Sequence, residues 1–138
     1  SIVSTTGNPD GHLVLRGGHQ GSNYHLEAVQ AAAAELSKAG LKDRLMVDCS
    51  HANSNKDFRR QADVLATVAD QLKAGSSHVM GVMIESHLVE GNQKLTADLS
   101  QLTYGQSITD ACISLETTDA LLSQLAAAVA DRSSVVTA

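Results

Sequence analysis

The chain carries no tryptophan, one phenylalanine (Phe58) and two tyrosines (Tyr24 and Tyr104). Platforms on which bases could stack are therefore wanting. The formal net charge of −5 also removes the basic footprint that a phosphate backbone requires, so nucleic acid is set aside as a partner. Cysteine is nearly as scarce: Cys49 and Cys112 stand 63 positions apart with no CxxC pair, which argues against a disulfide framework. No apolar run approaches the roughly 20 residues of a membrane-spanning helix, and no charged-then-apolar leader opens the sequence. The expectation is a protein without membrane association, cytoplasmic, and of one domain's length at 138 residues with 43% hydrophobic content.

What is present is a repeat. Apolar runs begin at His12 (HLVLRGG), Leu45 (LMVDCSH) and Val79 (VMGVMIESH), 33 and 34 residues apart, about the length of a βαβ unit. The runs are short, do not alternate with polar residues, and fit strands buried on both faces. Between them Leu26, Val29, Ala33 and Leu36, then Phe58, Ala62, Leu65, Ala69 and Leu72, recur at helical spacing, each set a stripe to pack on a sheet. Ser54 and Asp57 form a Ser-x-x-Asp start signal, and Gly40 and Gly75 follow the last turns of the two helices. A third helix is expected to start near Thr117 or Thr118, to bury Leu121, Leu122, Leu125 and Val129, and to end in a frayed tail of Asp131, Arg132, Ser133 and Ser134. The resulting division is a hairpin strand and turn over 1–11, βα units over 12–40, 41–75 and 76–131, and a tail over 132–138. Three such units cannot close a (β/α)8 barrel, which needs eight strands and about 250 residues.

Three apolar runs, read as three consecutive strand ends, each place a potential ligand just past them: His51 in Asp48-Cys49-Ser50-His51, Glu85 in Ile84-Glu85-Ser86-His87, and Asp110 in Ile108-Thr109-Asp110. One such residue alone is more often a helix cap or a surface group; convergence from three loops shifts the balance toward a cation site. One imidazole nitrogen and two carboxylates suit Mn²⁺, Fe²⁺, Co²⁺ or Zn²⁺. Arg16, followed by Gly17 and Gly18, sets a guanidinium beside flexible backbone, a means of holding a phosphate or carboxylate bidentately. Asp48 stands close enough before His51 to orient it. His12, His19, His25, His78 and His87 lack comparable support, although His87 could orient Glu85 from behind. Lys56 is expected to pair with a neighbouring carboxylate.

The strings LRGG at 15–18, DCSHANSNK at 48–56, GVMIESHLVEGNQ at 81–93 and YGQSITDACI at 104–113 resemble, in order and over nearly the whole chain, successive signatures of the feedback-regulated microbial and fungal 3-deoxy-D-arabino-heptulosonate 7-phosphate (DAHP) synthases. The resemblance implies the C-terminal portion, about three βα units, of a TIM (β/α)8 barrel. It implies a metal-dependent enzyme that condenses phosphoenolpyruvate with erythrose 4-phosphate and releases phosphate, the first step of the shikimate pathway. Carried over by motif, His51, Glu85 and Asp110 are metal ligands, Arg16 contacts phosphoenolpyruvate, His51 faces it as well, and Asp110 lies at the substrate.

The family's cysteine ligand and several of its phosphate-binding Arg and Lys residues belong to earlier strands that this sequence does not include. The chain alone is thus expected to be inactive, and to be found as a homo-oligomer or joined to the missing N-terminal part. The opening at Ser1, inside what reads as the hairpin strand, favours a fragment of such an enzyme. The alternative is a non-catalytic metal-binding or assembly module derived from one. Cys49, two residues before His51, could be offered as a substitute thiolate, but the family's usual aromatic there points to packing, and Cys112 reads the same way.

Overall fold

The computed structural model describes residues 1–136, with side chains described through Arg132. Three strands, β1 (Leu13–Leu15), β2 (Leu45–Asp48) and β3 (Val79–Met83), form one parallel sheet in the order β1-β2-β3, with Leu15 opposite Val47 and Val47 opposite Val82. The helices α1 (Leu26–Lys38) and α2 (Gln61–Lys73) make the crossovers, as parallel neighbours require. The class is α/β.

Burial follows position in the sheet. Central β2 is covered, with Leu45, Val47 and Asp48 buried, whereas β1 and β3 expose Leu13, Val14 and Met80. The expectation of strands buried on both faces therefore holds for β2 alone, since each outer strand has a neighbour on one side only. The core gathers Leu15, Val29, Leu45, Val47, Val64, Leu65, Val68, Leu72 and Leu121 between the sheet and the helices.

Both helix ends foreseen from glycine are Schellman caps. Gly40 takes φ +71°, its N–H meets Ser37 O and the Leu41 N–H meets Leu36 O; Gly75, Ser76, Leu72 and Gln71 repeat the pattern with φ +94°. The start signal is shifted. Asp57, not Ser54, caps a 3-10 turn at Phe58–Arg60 by accepting from Arg59 N–H, and α2 follows it, while the Ser54 hydroxyl is spent on His51 O.

The third unit departs most from expectation. After β3 the chain makes a long excursion through β4 (Ser86–His87), β5 (Val89–Asn92), β6 (Gln106–Ser107) and β7 (Ile113–Ser114), with β4 paired to β7 and β5 to β6, both parallel. The last helix, α3 (Leu115–Val136), then starts two or three residues earlier than foreseen, because the Ser114 hydroxyl accepts Thr117 N–H at 3.1 Å. Its inner stripe is Leu121, Leu125 and Ala128, while Leu122 and Val129 are exposed. The expected frayed tail is helical as far as Val136, no residue from Asp131 to Val136 being a helix breaker; residues 137–138 lie outside the described residues. Residues 1–7, read as the strand of a hairpin strand and turn over 1–11, form no strand: among the described residues β1 pairs only with β2, and Ile2 and Val3 lie open. No helix among the described residues is long and apolar enough to cross a membrane.

Asn53 ties the carboxyl ends of the first two strands together. Buried just past β2, it donates through Nδ2 to Leu15 O (3.0 Å) and Asp48 O (2.8 Å) and accepts Asn23 N–H at Oδ1 (2.8 Å). Truncation strands three backbone groups, each costing roughly 1–3 kcal/mol when buried without a partner. Asn53→Ala should lower stability by about 3 kcal/mol, read as a fall in the urea midpoint at unchanged slope; a loss below about 1 kcal/mol would show that water replaces these bonds freely.

Candidate metal centre

The carboxyl ends of the three parallel strands open onto one cleft of about 310 Å³. Arg16 leaves β1, His51 lies on the turn after β2, and Glu85 follows β3 by two residues. Asp110 comes from elsewhere: it sits on the loop leading into β7, not past a strand of the sheet, so the expectation of three consecutive strand ends is corrected to two ends and one excursion. The three residues nonetheless converge. One ligand atom from each of His51, Glu85 and Asp110 lies within 4.8 Å of the others, and His51 Nε2 stands 3.7 Å from Glu85 Oε1.

His51 is held from behind. Buried Asp48 places Oδ2 2.7 Å from His51 Nδ1, while its Oδ1 accepts both the Ser50 N–H (2.8 Å) and the Ser50 hydroxyl (2.6 Å). A carboxylate at Nδ1 fixes the proton there and leaves the Nε2 lone pair facing Glu85 and Asp110. The turn carrying the ring is forced: His51, Asn55 and Lys56 have φ of 51°, 55° and 61°, a region that costs a side-chain-bearing residue free energy and persists only where neighbours impose it. Lys56 N–H to His51 O at 2.8 Å closes it.

Arg16 owes its place to Gly17. The glycine has φ +73°, and a Cβ there would lie 2.8 Å from Ala52 Cβ and 2.9 Å from Asn53 N. Its N–H donates to Asn23 Oδ1 at 2.7 Å, and Asn53 N–H donates to Arg16 O at 3.3 Å, so the loop after β1 lies directly against the turn after β2.

Burial pushes the Glu85 carboxyl above its usual range; the Asp110 and Asp48 charges add to the effect, and His51 and Arg16 partly oppose it. Two carboxylates and a lone-pair nitrogen crowded in this way, with a third carboxylate behind, are what a divalent cation relieves. The donor set therefore fits the metals expected of it. Cys49 does not join: burial, then Asp48, pushes its thiol up to about 12, so it is a neutral core group. Cys112 is buried as well and its Sγ–H donates to Asp110 O at 3.5 Å.

Lys56, expected to pair with a carboxylate, makes no ion pair among the described residues; it lines the cleft, as Arg16 does, so two cationic side chains share the cleft with the carboxylates. His87 is exposed, its Nδ1 taken by the Leu88 N–H at 2.8 Å, and so does not orient Glu85. His25 stacks on Tyr24 and His78 pairs with Asp43.

Parallel strands, crossover helices and a mixed imidazole–carboxylate cluster at the strand ends define an α/β protein of the kind that builds cation-dependent sites from its loops. The chain belongs to the DAHP synthetase I family, whose pattern matches residues 1–123. It is 53% identical over 132 residues to the Phe-sensitive phospho-2-dehydro-3-deoxyheptonate aldolase of Escherichia coli K12, covering 96% of this chain and 37% of that one. It is 48% identical over 135 residues to a putative phospho-2-dehydro-3-deoxyheptonate aldolase of Schizosaccharomyces pombe, covering 97% and 37%. The structure of the Francisella tularensis phospho-2-dehydro-3-deoxyheptonate aldolase superposes with a TM-score of 0.87 at 47% identity, over 96% of this chain and 38% of that one. The chain thus spans little more than a third of the length of these relatives.

The sign of a pH effect follows from Glu85. Its folded-state value is raised, so the penalty for ionising it is absent below the ordinary carboxylate range, about 4.3, and grows as pH rises through the raised value. Metal-free Glu85→Gln should unfold at a higher temperature than the parent at pH 7, with the gain gone by about pH 4. Equal Tm values at pH 7 would contradict the assigned burial cost.

Proposed function

We propose that this chain is the C-terminal section of a TIM-barrel DAHP synthase and carries the metal site of that enzyme. The observation that carries the reading is the convergence of His51, Glu85 and Asp110 within 4.8 Å beside Arg16 and Lys56, in a chain of the DAHP synthetase I family. The reaction is phosphoenolpyruvate plus erythrose 4-phosphate plus water to DAHP plus phosphate. A carbon–carbon bond forms between the enol carbon and the aldehyde carbon, water adds at the adjoining carbon, and the bond from that carbon to the phosphate oxygen breaks.

A divalent cation held by His51, Glu85 and Asp110 supplies Lewis-acid polarisation of the aldehyde. Manganese, iron, cobalt and zinc all suit the donors. Arg16 grips an anionic group of phosphoenolpyruvate through its planar fork, and Lys56 adds a second positive point in the same cleft. His51, with its Nδ1 proton held by Asp48, turns only Nε2 to the cleft. Asp110, the most exposed of the three ligands, is the one able to reach bound substrate as well.

Such a section leaves apolar sheet edges open, Leu13, Val14 and Met80 among them, which favours association with the N-terminal part of the same enzyme or with another copy. We expect light scattering on the isolated chain to find it associated, and no phosphate release from the two substrates with Mn²⁺ supplied. A stable monomer that turns over, with turnover lost in His51→Ala, would contradict the incomplete-barrel reading. Replacing the corresponding third of the Escherichia coli relative with residues 1–132 should give a chimera that forms DAHP, and His51→Ala in it should cost at least about 10²-fold. A folded chimera whose activity ignores His51→Ala would overturn the proposed function.

A further inference from the structure

We propose that Gln61 is the positioning residue that aims Glu85 into the cation cluster; this rests on the metal-site reading above. Gln61 opens α2 and is wholly buried. Its amide grips the backbone of Glu85 from both sides: Oε1 accepts the Glu85 N–H at 2.8 Å, and Nε2 donates to Glu85 O at 3.1 Å.

The grip falls where the sheet gives out. The β2–β3 register ends with Asp48 opposite Met83, and Cys49 N–H to Met83 O, at 2.9 Å, is the last bond between these segments. Beyond it β2 turns away into Ser50 and His51, so the backbone of Glu85 has no strand beside it on that side. Gln61 stands in for the missing strand, offering one donor and one acceptor as an extended residue would. Ile113 N–H takes the second lone pair of Glu85 O at 3.0 Å. With its N–H and C=O both tied, the Glu85 backbone is held in place, so its Cα–Cβ bond cannot swing away from the cleft, where the carboxylate stands 3.7 Å from His51 Nε2, without breaking the hydrogen bonds to buried Gln61.

A buried glutamine that only fills space would act on stability alone. Gln71, ten residues further along α2, serves as the comparison: it too is buried, and it donates to a backbone carbonyl, Tyr24 O at 2.8 Å, with no contact to the cluster. In the 138-residue chain titrated with Co²⁺ and followed by calorimetry and visible absorption, Gln61→Met should weaken binding by about tenfold or more, the usual effect of losing a group that orients a ligand. It should also alter the cobalt absorption bands. Gln71→Met should lower Tm and leave affinity and bands as in the parent.

Parent-like cobalt affinity and bands in Gln61→Met would overturn the role of Gln61 while leaving the site itself intact, as would an equal loss of affinity in both variants. Failure of the parent chain to bind Co²⁺ would overturn the site reading and this inference with it. Should Gln61→Met not fold, amide exchange in the parent decides: Glu85 N–H protected as well as the interior of α2 is the expected result, and exchange at the rate of an open loop overturns the inference.

Discussion

Much of this molecule depends on one buried carboxylate. Asp48 ends the central strand and is 2% exposed, yet both of its side-chain oxygens and its carbonyl are engaged. One side-chain oxygen holds the His51 ring, the other holds Ser50 through both N–H and hydroxyl, and its carbonyl accepts from Asn53. A buried charge without such partners would be strongly destabilising; with them it becomes the anchor of a turn whose backbone is otherwise unfavourable. The strain at His51, Asn55 and Lys56 persists because Asp48 fixes the beginning of that turn and the 3-10 cap at Asp57 fixes its end. The imidazole is therefore oriented before any ligand arrives.

The second constraint is topological. Parallel strands joined by crossover helices bring successive strand ends to the same edge of the sheet, so residues 16, 51 and 85 meet although they are far apart in the chain. The repeat length of 33 and 34 residues is that geometry written in the sequence. The excursion through β4 to β7 then folds Asp110 back over the same edge, tied down by Gly91 and Cys112, which exchange backbone hydrogen bonds.

Features governed by short-range physics were legible. Apolar runs marked β1, β2 and β3, and Gly40 and Gly75 marked two helix ends because only glycine takes a positive φ there cheaply. That His51, Glu85 and Asp110 would lie together was legible through motif and position, and the contact of Asp48 with His51 through their spacing. What escaped depended on partners distant in sequence. Gln61 looks like any helix-surface amide until Glu85, 24 residues away, arrives at its side chain. Asn53 gives no hint of its bond to Leu15, 38 residues back. Lys56 was misread because the paired carboxylate assumed for it is a local rule, whereas its positive-φ turn projects it into the cleft. The hairpin strand failed for the opposite reason: a β pattern at residues 1–7 forms no strand without a neighbour to bond.

The central claim is that one divalent cation occupies the space between His51 Nε2, Glu85 and Asp110. The direct measurement is an anomalous difference map from crystals of the chain grown with Mn²⁺. The account predicts a single strong peak within about 2.0–2.3 Å of an atom from each of the three residues. A map with no peak there, or with Mn²⁺ only at surface carboxylates such as Asp43, would contradict it.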